Sequence, residues 1–74
     1  MPEDTRAQIL RAAKTLFGRY GFRKTSLADV AGEARMGKSS IYYYFTSKED
    51  LFRAVVDAEF KTLSARVRDA IASE

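Results

Sequence analysis

Residues 32–45 read GEARMGKSSIYYYF, and two different phosphate-binding devices can be drawn from them. The first eight letters satisfy the nucleotide-loop pattern G-x-x-x-x-G-K-[ST] through Gly32, Gly37, Lys38 and Ser39. The last eight, KSSIYYYF, read instead as a short helix whose outward face is hydroxyls and tyrosines. One reading makes a nucleotide hydrolase and the other a DNA reader, and the surrounding residues decide between them. A nucleotide loop leaves a buried β-strand, wraps its N–H groups round the phosphates and delivers them to a helix N-terminus. Here the preceding SLADVA, residues 26–31, has helical spacing, and no apolar strand ending in a metal-binding Asp is present. A chain of 74 residues is also too short for the parallel sheet that carries such loops.

Working outward, residues 5–20 repeat apolar groups at helical spacing, with Ile9, Ala13, Leu16 and Tyr20 on one stripe and Leu10 and Phe17 beside it. Thr5 and Gln8 have capping-box spacing, and Gly21 can take the left-handed conformation that ends a helix, letting Phe22 fold back on the core. A second helix is expected over 26–34, capped by Thr25 or Ser26, with Asp29 three beyond Ser26 and Leu27, Val30 and Ala31 as its apolar stripe. A turn at 35–37 leads to a short third helix at 38–44. Ser47 and Asp50 then open a long fourth helix, along which Leu51, Phe52, Val55, Phe60, Leu63, Val67 and Ile71 recur every one to five residues. No segment alternates with period two, so the predicted class is all-α. The expected organisation is a three-helix helix-turn-helix domain over 1–46, followed by the long fourth helix over 47–74.

Two helices joined by a short turn, the second small and outward-facing, form the arrangement that places a reading helix in the major groove. The outward face follows from ~100° per residue: counted from Lys38, Ile41 and Phe45 point near ~300° and ~340° and mark the buried side. Tyr43 falls opposite at ~140°, with Ser39 and Ser40 at ~100° and ~200° and Tyr42 and Tyr44 flanking at ~40° and ~240°. Three tyrosines are a poor choice for a plain solvated face, since aromatics weaken helix propensity and expose ring area. Against DNA, phenols can donate to phosphates or lie on thymine methyls, small serines permit close approach, and Lys38 can reach guanine O6 or N7. The competing reading makes two of the tyrosines half-buried packing with a wet hydroxyl. Ser26 with Thr25, and Ser47 with Lys48, open helices whose N-termini can hold phosphates beside the groove, or are ordinary caps.

Composition narrows the function classes. The chain has no Cys and no His, which removes disulfides, the usual zinc ligands and every Ser-His or Cys-His nucleophile; no enzyme, metal or cofactor is expected. No apolar run approaches the ~20 residues of a membrane span, and Met1 leads into acidic Glu3 and Asp4 rather than a basic signal region, so a cytoplasmic chain without a membrane partner is expected. Net charge is +3, but residues 6–48 hold nine basic groups against two acidic ones. A basic body with acidic flanks suits a polyanion. The alternative from another class is a helical module that binds an acidic protein or an anionic surface.

These residues resemble the tetracycline repressor (TetR) family of bacterial transcription regulators. The similarity runs through ILRAAKTLFGRYGFRKTSLADVAGEARMGKSSIYYYFTSKEDLF and is most specific in LFGRYGF, TSLADVA and IYYYFTSKEDLF. It implies sequence-specific binding of double-stranded DNA, with Thr25, Ser26, Lys38, Ser39, Ser40, Tyr42, Tyr43, Tyr44 and Lys48 at contact positions and Ile41 and Phe45 in the core. Arg35 and Gly37 depart from the family pattern, which often has Gly and a small polar residue there. A positive φ at Arg35 would cost ~1 kcal/mol or more, and Gly37 has no side chain with which to cap the reading helix. The resemblance further implies a C-terminal domain that forms a homodimer and binds a small-molecule inducer, releasing a repressor from a palindromic operator. The sequence therefore reads as a fragment that does not itself bind the inducer, with the bare far half of its last helix meeting that domain.

Overall fold

In the structure, a computed structural model describing residues 4–72, the order is α1 (Thr5–Tyr20), α2 (Leu27–Glu33), α3 (Lys38–Tyr44) and α4 (Lys48–Ala72). Among the described residues there is no strand; the outermost residues of the two expected segments, 1–3 and 73–74, lie outside them. The stretch that opened two readings is therefore a helix end, a turn and a helix: Gly32 sits in the last turn of α2 and Gly37 is the N-cap of α3.

The α1 stripe buries Ile9, Ala12, Ala13, Leu16 and Phe17. Its cap is not the expected Thr5 and Gln8 pair. Asp4 takes the N-cap position and its carboxylate accepts the Arg6 N–H at 3.2 Å, because a carboxylate one residue earlier caps better than Thr and also meets the positive helix end. Tyr20 likewise departs from expectation. It keeps the angular position of the stripe but is 54% exposed, since it lies at the very end of α1 and borders an open cleft with Lys24 and Ala28, with only the Arg19 guanidinium near its ring, 6.0 Å from the centroid.

Gly21 ends α1 with φ +89° and ψ 161°, its N–H donating to the Phe17 carbonyl at 3.0 Å. The φ is positive, as expected, but the backbone is extended rather than left-handed helical, a region essentially reserved for glycine. This turn sends Phe22 back over the core, where its ring centroid lies 5.7 Å from that of Phe17 and 5.1 Å from that of Phe52.

Ser26 and Asp29 form a complete capping box at α2, each side chain accepting the other's backbone N–H at 3.0 Å. After α2 the chain reverses through Arg35 at φ +59°, with the Met36 N–H donating to the Ala31 carbonyl at 3.0 Å. Gly37 provides no side-chain cap for α3, so that helix is held by burial of Ile41 and of Phe45 just beyond it. At α4, Ser47 Oγ accepts the Asp50 N–H at 3.0 Å, but the return arm differs from a capping box. The Asp50 carboxylate accepts from the Thr46 N–H at 3.1 Å, one residue earlier than the cap.

Helix α1 packs against both α2 and α4, and α3 packs on α2. Leu51 and Val55 of α4 belong to the same core cluster as the residues of α1 to α3, so packing continues across the expected division at 46/47. Beyond Val55 the helix runs on unbroken to Ala72, leaving Phe60, Leu63, Val67 and Ile71 exposed. The Lys14 to Glu59 ion pair, 2.9 Å long and exposed at both ends, fastens α1 to α4 and contributes at most ~1 kcal/mol.

Two stability changes follow from this packing. Ile41, fully buried, should cost ~2–5 kcal/mol when cut to Ala, while fully outward Tyr43→Ala should stay within ~0.5 kcal/mol of wild type in urea denaturation. Thr25→Val keeps the side-chain shape but removes the hydroxyl that donates to the Gly21 carbonyl at 2.9 Å, and should cost ~1–3 kcal/mol. An unchanged urea midpoint for Ile41→Ala would contradict the anchoring of α3.

Candidate nucleic-acid interface

With Ile41 and Phe45 facing inward, the seven residues of α3 have only one way to point the rest. Tyr43 is 83% exposed, Tyr42 and Tyr44 are less so, and Lys38 and Ser39 are exposed beside them. Tyr43 and Tyr44 hold their rings edge to face at a centroid distance of 5.0 Å, and the Lys38 ammonium lies 5.8 Å from the Tyr42 ring. The outward aromatics are thus paired with neighbours on their own helix. Ser40, which the helical angle turns outward, is half-buried and borders a hollow together with Thr5 at the start of α1, Ser39, Tyr43 and Tyr44. At the same end of the molecule the Arg6 guanidinium stacks over Phe45, 5.3 Å from its centroid.

The opposite flank of α3 is an open groove of about 330 Å³. Arg23, Lys24, Lys38 and Lys48 converge there beside Ser26 and Tyr42, and no acidic side chain lines it. The Asp29 carboxylate of α2 accepts the Ser26 N–H and lies with Glu33 on the adjoining cleft, which Lys24 also lines. Ser26 Oγ accepts from Asp29 and retains its own hydroxyl hydrogen for a further acceptor.

Two expected contact residues stand differently. Thr25 is 2% exposed, and its hydroxyl donates inward to the Gly21 carbonyl at 2.9 Å and toward the Leu16 carbonyl at 3.4 Å. It braces the loop against the end of α1 and presents no free donor outward, because the capping role at α2 has gone to Ser26 alone. Lys48, expected as a free ammonium at the start of α4, is half-buried. Its Nζ donates to the Phe22 carbonyl at 2.8 Å and sits 4.3 Å from the Phe22 ring centroid. Arg23 and Lys24 belong to the basic body of residues 6–48, and sequence reasoning gives them no place in the site. Their signal was two adjacent cations directly before the Thr-Ser cap, but helical periodicity cannot orient residues of a loop.

Among the described residues no helix is long and apolar enough to cross a membrane. Residues 9–55 match the family model described as bacterial regulatory proteins, tetR family. The chain is 42% identical over 55 residues to the uncharacterized HTH-type transcriptional regulator YfiR of Bacillus subtilis, covering 74% of this chain and 27% of that protein. It is 38% identical over 60 residues to the HTH-type transcriptional regulator TtgR of Pseudomonas putida, covering 81% and 29%. A third relative, an HTH-type transcriptional repressor of Streptomyces coelicolor, is 36% identical over 66 residues, covering 89% and 34%. This chain thus spans roughly a third of the length of these relatives. Among solved structures, a linker-substituted HlyIIR mutant superposes with a TM-score of 0.71 at 39% identity over 73% of this chain and 30% of its own. The fatty acid degradation regulator FadR from Bacillus halodurans shares the fold, with a TM-score of 0.85 at 21% identity over 95% of this chain and 37% of its own. On the strength of the matched core and these relatives, the chain belongs to the tetR family of bacterial regulatory proteins.

Proposed function

We propose that these residues form the DNA-reading module of a bacterial transcriptional repressor, and that α3 enters the major groove of double-stranded DNA. The observation that carries this reading is the outward face of α3, three tyrosines and a serine held on a buried Ile41 and Phe45 beside a cation-lined groove without carboxylates. A helix this short approaches base edges most closely through its small residues, so Ser39 and Ser40 set the depth. Tyr43, the most exposed, lies on a thymine methyl or donates to a phosphate, while Lys38 reaches guanine O6 or N7. Tyr42, Tyr44 and the hydroxyl of Ser26 contact the backbone and fix the register.

In this reading the protein works in the cytoplasm as a homodimer on a palindromic operator, with two α3 helices ~34 Å apart in successive major grooves. Dimerisation and inducer binding belong to a part of the protein other than these helices. The exposed stripe of Phe60, Leu63, Val67 and Ile71 supports such a partner surface, since a row of four large apolar side chains along one helix is more than scattered exposure. The competing reading, a module that binds an acidic protein or an anionic surface, lacks any need for base-pair preference.

Tyr43→Ala and Lys38→Ala should each weaken binding to a selected cognate duplex by ~1–3 kcal/mol in fluorescence anisotropy, with circular dichroism unchanged. Log affinity should fall linearly with log salt, at a slope of about −0.9 per neutralised phosphate, and the cognate duplex should outcompete random DNA. If both variants bind the cognate duplex as wild type does, α3 is not the reader. The 74-residue chain alone should bind a half-site weakly, and should either fray beyond Phe60 in hydrogen exchange or self-associate in sedimentation. A stable monomer with full-site affinity equal to that of a longer form would contradict the dimeric scheme.

A further inference from the structure

The loop between α1 and α2 offers two adjacent cations, Arg23 and Lys24, for which neither the core nor the reading helix has a use. Both are exposed, and among the described residues neither side chain is held by a hydrogen bond or an ion pair. They share a groove lined by no carboxylate with Lys38 and Lys48, so four positive groups gather on one flank of α3, while Asp29 and Glu33 lie with Lys24 on the adjoining cleft. Such a cluster raises the local concentration of anions and is relieved by binding one.

The backbone that carries the two cations is held at several points. Gly21 turns the chain at a φ open to glycine, and the Phe22 ring packs on Phe17 and Phe52. The Thr25 hydroxyl returns to the Gly21 carbonyl, and the Phe22 carbonyl receives the Lys48 ammonium at 2.8 Å. That last bond has a second consequence. An ammonium that gives one of its three N–H groups to a carbonyl and lies 4.3 Å from a ring centroid keeps at most two for an anion on this flank, which can draw further donors from the loop. The loop has them, including an Arg whose planar fork suits two oxygens of one phosphate.

We infer that Arg23 and Lys24 form a clamp for a phosphodiester of the DNA backbone on the Tyr42 flank of α3, and that Lys48 is the positioning residue that holds this loop in place through Phe22. The inference rests on the proposed DNA-reading role and adds to it which residues fix the module on the backbone.

The test is a salt titration of the 74-residue protein and its Arg23→Gln/Lys24→Gln variant on a cognate and a random duplex. The clamp requires affinity to fall by the same factor on both duplexes and the salt slope to shrink by ~1–2. Lys48→Met should also weaken binding, but much less so when added to the double variant, and Lys48→Arg, which can still donate to Phe22, should restore most of the loss. An unchanged slope in the double variant, with Tyr43→Ala still weakening cognate binding, would overturn the clamp while leaving the DNA reading standing. If Tyr43→Ala and the double variant are both silent on DNA, the reading itself fails. Fully additive losses from Lys48→Met would refute its positioning role. A double variant that loses only its binding to phosphatidylserine vesicles, with duplex affinity intact, would assign the cations to a lipid surface and overturn the clamp.

Discussion

Phe22 is where the end of α1, the loop to α2 and the first turns of α4 are tied together. Its ring meets Phe17 from α1 and Phe52 from α4, which themselves lie edge to face at 5.4 Å, and its carbonyl takes the Lys48 ammonium. Only a backbone that reverses at Gly21 can bring Phe22 inward so soon after Tyr20, and only glycine takes that conformation cheaply. The direction in which α2 leaves the loop depends on this junction, and α3 in turn packs on α2. The reading helix is therefore positioned from a point outside itself.

That indirect support is a necessity for so short an element. Seven residues without a side-chain cap are far below the length at which a helix holds in water, so α3 exists because Ile41 and Phe45 are buried and the turn before it is closed. The turn carries a strained residue, Arg35 at φ +59°, offset by the Met36 N–H bond to Ala31 and the packing of Met36 on the core. At the other end Arg6 covers Phe45 with its guanidinium, so a charged side chain lies on the aromatic that ends the helix. Anchoring two positions leaves the others free of any packing duty, which is how a helix of this length can devote tyrosines and serines to a partner.

Helix α4 joins two environments along one axis. Its first turns lie in the core through Leu51 and Val55, and its later turns present Phe60, Leu63, Val67 and Ile71 to solvent. The helix alone is roughly 38 Å long by its rise per residue, against 46 × 31 × 19 Å for the described residues, so it outreaches the helices that could cover it. The same helix carries Lys48 at its first residue, so its start is bonded to the Phe22 carbonyl of the cationic loop.

The amino-acid sequence alone determined the four helices, the buried Ile41 and Phe45 and the outward Tyr43, because each follows from angles and caps counted along one helix. It also indicated that Gly21 would carry a positive φ. What it left undecided lies between elements. Thr25 and Ser26 are equivalent as candidate caps until the end of α1 is near enough to take the Thr25 hydroxyl. Lys48 looks free until Phe22 arrives from 26 residues away, and Tyr20 looks buried until the other helices leave the end of α1 exposed. Arg23 and Lys24 belong to no helical period, so only the folded loop sets them beside Lys38. Periodicity encodes which way a side chain points about its own axis, whereas which carbonyl, ring or cation it meets depends on where the other helices stop, and that is decided by tertiary packing.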